Sequence, residues 1–376
     1  MSNAAQTRAW IEVAPSALRA NYAAIRSRVG PRTAIIPMVK ADGYGLGAQR
    51  VARILDELGP YAFGVATADE GAALRAAGFA RPIIVFSPLP PQAVETAAAN
   101  RLTVTISSID ALDAWQAAAE RHGPLDFHVE VDTGMGRAGL DWRETGHWAS
   151  AVRERVSDRL HWAGIFTHFH GADAAERAPT ALQWERFRDA LAQLPVSQED
   201  LLVHACNSAA VLRWPEYAAD AVRPGIFLYG GDAAPGTEAP APEPVAAVKA
   251  RVVLVRDVPP GSTVGYGATH VARSPERWAT VAIGYGDGLP RALGNCGVAL
   301  VGGRRVRITG RISMDMTVVD VTTVSAVDPG DEVVFIGSQG EEEIRVEDVA
   351  AQVGTINYEI LTGFTPRLPR VERMNG

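Results

Sequence analysis

Cysteine is nearly absent from this chain of 376 residues. Cys206 and Cys296 stand far apart, with no C-x-x-C pair and no Cys/His cluster. That excludes a disulfide framework, argues against a structural zinc site and fits a reducing compartment. Long apolar runs are missing as well. No uninterrupted stretch approaches the roughly 18 residues of a spanning helix. The N-terminal MSNAAQTRAWIEVAPSALRANY lacks the apolar segment of a signal peptide. A cytoplasmic protein with no membrane partner is expected. Excess positive charge is the third absence. The net charge is −7, whereas binding a phosphate backbone wants a basic surface, so no nucleic-acid partner is expected. What remains is ordinary globular composition, 47% hydrophobic and 21% charged. A single core rarely grows past about 250 to 300 residues, so two domains are expected.

Short β-rich runs recur through the first part of the chain, at 34–39, 62–66, 82–86, 102–106, 126–131, 162–167, 201–205 and 220–223. Most are apolar on both faces, as buried parallel strands are. Between them GAQRVARILDEL, ADEGAALRAA, PQAVETAAAN, SIDALDAWQAAAERH and TALQWERFRDALAQL place apolar residues at helical intervals. A doubly wound open sheet shows the same alternation, but eight strands favour a (β/α)8 barrel. Residues 230–244, rich in Pro, Gly and Ala, read as a linker. After them come β-branched runs with Gly-rich turns, and one short helical pattern at 345–354. The expected fold is α/β. An N-terminal (β/α)8 TIM-type barrel over 1–235 precedes a C-terminal mostly-β domain over 245–376, and residues 1–11 are candidates to pair with the latter.

Loops after the strands of such a barrel build its active site. Those strand ends carry Lys40, Asp132, Arg137, His168, Asn207, Ser208, Arg223, Gly225 and Ile226. Each has a bland reading: Lys40 as a solvated strand end, Asn207-Ser208 as a helix cap. Converging on one rim, they suggest an anion site, with RPGI and CNSAA offering backbone N–H groups and a hydroxyl. GMGRAG at 134–139 matches a dinucleotide fingerprint. It lies in the fifth βα unit rather than an opening one, and its glycines serve equally to place Arg137. A lysine facing a phosphate site, with no metal motif, suggests pyridoxal phosphate, on which a lysine amine forms an imine and which acts as an electron sink.

At this point the motifs VKADGYGLG, VDTGMGRAG, THFHGAD, HACNSAA, VRPGIFLYG, VGYGATH, IGYGDGLPR, GRISMDM and TINYEILTG, in this order, resemble the alanine racemase family over almost the whole chain. The resemblance implies pyridoxal 5'-phosphate bound to Lys40 and a homodimer with shared active sites that acts on alanine. It implies a phosphate grip of Tyr44, Ser208, Gly225, Ile226 and Tyr358, and Arg223 at the pyridine nitrogen. Arg137 is similar to the arginine serving the cofactor's phenolic oxygen and the substrate carboxylate, which Met314 also meets through its backbone N–H. Tyr266 resembles the second base, reaching in from the other subunit, with His168 linking it to Arg223. Asp173, Arg291, Arg311 and Ile356 resemble residues of the entry. Two positions depart from the family. Many members carry a carbamylated lysine seven residues before the arginine equated with Arg137, where this chain has Glu130. A carboxylate supplies that negative charge without modification. Phe86 stands where a smaller aliphatic residue is usual. A racemase of broader specificity and a non-enzymatic cofactor carrier are the alternatives; a decarboxylase is disfavoured by Arg223.

Overall fold

The computed structural model describes residues 7–373. Eight parallel strands form the barrel wall, in the spatial order Ala34–Ile35, Ala221–Arg223, Leu202–Asn207, Leu160–Phe166, Leu125–Asp132, Thr103–Ile106, Ile83–Val85 and Phe63–Val65. A parallel bridge between Met38 and Gly64 closes the ring. Every one of the eight expected runs contains a strand. Ile83–Val85 and Thr103–Ile106 are buried along their whole length, because the barrel interior covers one face and helices the other. The first run keeps only two strand residues, since Pro37 has no N–H for the ladder.

The helices follow their local signals. Ile109–His122 starts at Ser108, whose side chain accepts from the Ala111 N–H, and ends at Gly123 with φ +94°. It buries Leu112, Trp115, Ala118 and Ala119 on one face. Ala68–Ala76 opens with a reciprocal capping box between Thr67 and Glu70.

The second sheet is built around the long strand Ala246–Val258, which pairs antiparallel with Glu332–Gln339 and Glu276–Val281. Its other neighbour is the first strand of the chain. Ala9–Val13 runs antiparallel to it, from Ala9↔Ala250 to Val13↔Ala246, and parallel to Arg370–Glu372. Both ends of the chain thus meet in the β unit. Residues 1–6, part of the segment expected to pair there, lie outside the described residues. Buried Asp287 clasps this region, accepting from Arg8 Nη1 at 3.0 Å and Gly284 N at 3.0 Å, with Arg367 Nε at 3.3 Å. The Pro-rich segment 230–244 forms no helix or strand. It is pinned to the first helix, Pro15–Val29, where Asn21 donates to Glu243 O at 2.9 Å and accepts from Glu243 N at 2.7 Å. One continuous apolar core runs from Leu18 and Ile25 through the barrel to Val248 and Ala250.

Candidate active site

A cavity of about 440 Å³ opens at the C-terminal ends of the barrel strands. Its lining includes Lys40, Tyr44, Arg137, His168, Asn207, Ser208, Arg223, Gly225, Ile226 and Tyr358, together with Met38, Phe86, Glu130 and Phe166. All but Tyr358 come from the barrel, between Met38 and Ile226, and barrel closure brings them together; Tyr358 joins them from the helix Asn357–Thr362.

Lys40 opens a single helical turn, Lys40–Tyr44, of the wrong hand. Ala41, Asp42 and Gly43 have φ of +52°, +53° and +61°, and Tyr44 follows at +54°. Each non-glycine residue in that region costs about 1–2 kcal/mol, so the surroundings must hold the turn. Glu70 Oε1 accepts from Ala41 N at 2.7 Å, Asp42 Oδ1 from Ala48 N at 2.8 Å, and Gly45 N donates to Ala41 O at 2.8 Å. A side chain on Gly45, at φ +81°, would collide with the carbonyl of Leu361. The glycines after Lys40 therefore serve a fixed left-handed turn rather than a mobile loop. Lys40 is one of only two lysines in the chain. The other, Lys249, sits between Glu12 and Glu332 at 3.1 and 3.2 Å. Lys40 has no ion pair among the described residues, and burial, reinforced by the Arg137 charge, lowers its pKa. A lysine so placed has more of its amine free to act as nucleophile or base.

Arg223 is 4% exposed at the cavity floor. Its Nη2 donates to Thr167 O and Ala205 O, both at 2.9 Å, and reaches His168 Nδ1 at 3.4 Å. Its Nη1 donates to His204 Nδ1 at 2.7 Å. The guanidinium carbon lies 5.0 Å from the Phe166 ring centre and 5.6 Å from that of Phe86. Phe86 is thus one wall of an aromatic slot around the arginine. A guanidinium has no acceptor, so His168 Nδ1 must carry a lone pair. Burial, then the Arg223 charge, pushes His168 down to about 3, so it is neutral with its proton on Nε2.

Beside it lies an oxygen and N–H cradle. Ser208 Oγ accepts from Gly225 N at 2.8 Å and Phe227 N at 3.4 Å. Asn207 caps the helix Ser208–Arg213 through Ala210 N at 3.0 Å, so the bland reading of Asn207 holds alongside its place in the lining. Tyr44 stacks on Tyr229 at 4.4 Å, and its hydroxyl occupies the space that any side chain on Gly225 would need. Tyr358 lies against Tyr44 at 6.1 Å between ring centres. Burial pushes the Tyr44 phenol upward and the Tyr358 phenol up to about 12; both are neutral donors.

Arg137 stands on the glycine loop that mimics a dinucleotide fingerprint. The loop's N–H groups are turned inward: Asp132 Oδ1 accepts from Gly134 N at 2.9 Å and Gly136 N at 3.1 Å. The loop thus folds on its own carboxylate, which is the role of Asp132, and presents Arg137. Glu130 is 3% exposed, with Ser107 Oγ at 3.5 Å. It makes no ion pair with Arg137 among the described residues. Burial raises its pKa while the Arg223 and Arg137 charges pull the other way.

Pyridoxal phosphate fits these residues. The space is that of a small-molecule site. Two guanidinium groups and a lysine face one carboxylate, which suits a phosphate together with a substrate carboxylate. The Tyr44–Gly225 cradle has no room for anything but backbone and phenol on its protein side.

The remaining sequence candidates are not in this cavity. Tyr266 is 67% exposed at the tip of the hairpin joining Thr263–Val264 to His270–Val271, between Gly265 and Gly267 at φ +71° and +74°. Arg311 flanks that tip. Met314 is also exposed, on a segment held by the bond from Gly286 N to Met314 O at 2.8 Å. Asp173, Arg291 and Ile356 are exposed and outside the lining. Sequence reasoning missed His204, His128 and Phe166 around Arg223. A histidine at the centre of an otherwise apolar strand was the available signal. It also passed over the scarcity of lysine.

The alanine racemase N-terminal domain family matches residues 13–233, and the C-terminal domain family matches residues 245–372. An alanine racemase of Desulfovibrio desulfuricans is 41% identical over 367 residues, covering 96% of this chain and 97% of that protein. A crystal structure of alanine racemase from Bacillus anthracis with bound L-Ala-P superposes with a TM-score of 0.89 at 33% identity, covering 98% of this chain and 96% of that one. One from Bartonella henselae with covalently bound pyridoxal phosphate gives 0.88 at 31%, covering 98% of this chain and all of that one. With both domains matched and the cavity formed by the residues its motifs carry, this chain belongs to the alanine racemase family.

Proposed function

We propose that the chain interconverts L-alanine and D-alanine with pyridoxal 5'-phosphate, as two copies that complete each other's sites. The observation that carries this reading is Lys40: a lysine of lowered pKa with no ion pair among the described residues, fixed by a strained turn at a cavity whose floor is a buried arginine.

Tyr44, Ser208, Gly225, Ile226 and Tyr358 would grip the phosphate, and Arg223 would face the ring nitrogen. Bound there, the cofactor takes up the electron pair left when the substrate Cα–H bond breaks. Everything else falls to the chain. Arg137 and the Met314 N–H hold the substrate carboxylate, a two-point grip that fixes the Cα–H bond relative to the bases. Lys40 Nζ removes or returns the proton on the D face. Tyr266 of a second copy does so on the L face, which gives its exposed position a purpose. His168 accepts from Arg223 at Nδ1 and so presents its Nε2–H outward, where it steadies the tyrosine oxygen when that oxygen is unprotonated. Arg223 does not give up its proton at working pH, even with its pKa brought down to about 10 by burial. A donor that stays a donor would leave the ring nitrogen of a bound cofactor without a proton of its own, which would weaken its pull on electrons and disfavour transamination. Glu130 puts an unmodified carboxyl group near Arg137, where the family's modified lysine would stand. We place the protein in the cytoplasm, supplying D-alanine for peptidoglycan or consuming it.

Solvent deuterium separates the two faces. In Tyr266→Phe, D-alanine should still exchange its α-proton through Lys40, and L-alanine should not. Equal residual exchange from both enantiomers would remove the two-base assignment.

A further inference from the structure

Behind the cavity, a row of buried groups has no part in the proton transfers. Arg223 Nη1 meets His204 Nδ1 at 2.7 Å, and His204 Nε2 meets His128 Nδ1 at 2.9 Å. Both histidines are buried, at 0% and 2% exposure. The arginine can only donate, so His204 Nδ1 must hold a lone pair and its proton must sit on Nε2. That N–H then donates to His128, whose Nδ1 must also be unprotonated. One donor at the arginine thereby fixes the tautomer of two imidazoles in sequence.

The rings cannot turn to escape this order. His204 is stacked on Phe166 at 4.9 Å and 9° and meets Phe86 edge-on at 6.0 Å. His128 lies over Gly164 on the neighbouring strand, where an added Cβ would come within 2.7 Å of its ring. Gly164 is therefore required by the space His128 fills, not by its backbone angle. No carboxylate pairs with Arg223 among the described residues. The histidines and two carbonyls hold it without cancelling its charge, which is left to act on the cavity. Burial and the Arg223 charge both depress the two histidines, in agreement with a neutral pair.

From this geometry we infer that His128 is a positioning residue. By accepting from His204 Nε2–H it holds His204 as an Nδ1 acceptor, and so fixes the guanidinium of Arg223 in the orientation that serves the cavity. The inference rests on the proposed role of Arg223. Without His128, the His204 N–H would be buried without a partner, and moving that proton to Nδ1 would break the bond to Arg223.

The test is long-range 1H–15N correlation on 15N-histidine-labelled holoenzyme, with steady-state kinetics on the same samples. In the unsubstituted protein, His204 and His128 should each show an unprotonated Nδ1 and a protonated Nε2. His128→Leu should lose that single pattern at His204 and lower kcat about tenfold, the value of one buried hydrogen bond to a charged network. His128→Asn, whose amide oxygen can accept in place of Nδ1, should restore both. Gly164→Ala, which crowds the ring without removing it, should lower kcat in the same direction and serves if His128→Leu does not fold. A protonated His204 Nδ1 in the unsubstituted protein would overturn the inference. So would a His128→Leu protein that loses thermal stability with kcat unchanged, or an Asn variant no better than Leu. Holoenzyme with the expected nitrogens but no racemisation would support the relay and count against the proposed function, so the two fail separately.

Discussion

The barrel mouth and the exposed edge of the β unit carry chemistry in opposite states. At the mouth, Lys40, Arg223, Ser208 and Tyr44 are packed or half-buried, and Arg223, Ser208 and Asn207 have hydrogen-bond partners within the same chain. On the β unit, Tyr266 and Met314 are 67% and 52% exposed, Tyr266 on a turn between Gly265 and Gly267. Under the proposed function, the contrast separates a formed binding half from a catalytic half that a second copy would complete.

The sharpest way to break that comparison is to remove the mouth's only lysine. Lys40→Ala should lower racemase activity by at least about 10⁴-fold, followed as D-alanine formed from L-alanine; activity within tenfold of the parent would end the account of the mouth. Tyr266→Phe should cost about 10² to 10⁴. Mixing the two inactive variants then tests which chain supplies which half. If sites are shared between copies, random reassembly restores up to about a quarter of the parent activity, because half the dimers are hybrids with one intact site each. No recovery after refolding or subunit exchange would place both groups in one chain. Gly45→Ala forces a side chain into the Leu361 carbonyl at a positive φ. About 2–4 kcal/mol of lost stability is expected, read as a shifted urea midpoint, with activity falling as the Lys40 turn loosens.

The smallest effect separates the barrel interior from the surface. Burial holds His128 down to about 3 and His204 well below its ordinary value. Unfolded, both take up a proton near pH 6.5. Below that pH the unfolded chain binds more protons than the folded one, so stability falls toward acid, by up to about 1.4 kcal/mol per pH unit for each histidine, and is fully retained above. Glu130, whose pKa burial raises, offsets part of the fall. His128→Asn should flatten the dependence of the urea midpoint between pH 6.5 and 4.5; an unaltered slope would remove His128 from the neutral core.

Buried parallel strands leave apolar runs that any reader of the sequence can find, which is why AIIPMV and PIIVF already outlined the barrel. The ends of the strands were less legible: Pro37 and the bridge at Met38 are set by closure, not by local pattern. Residues 1–11 were candidates for the second sheet, but the register of Ala9–Val13 was not legible, because its partner lies more than two hundred residues away. The motif residues of the mouth converged as expected. The turn after Lys40 did not look left-handed, since Ala41 and Asp42 are not residues that announce a positive φ. The histidine row was invisible for a similar reason. His128 and His204 read as polar interruptions of apolar strands, and only the barrel's curvature places one against the other.

Borohydride reduction of the holoenzyme followed by peptide mapping tests the central claim most directly. With two lysines in the chain, the result is close to binary. The account predicts a stable pyridoxyl label on Lys40 alone. A label on Lys249, or on neither, would contradict it.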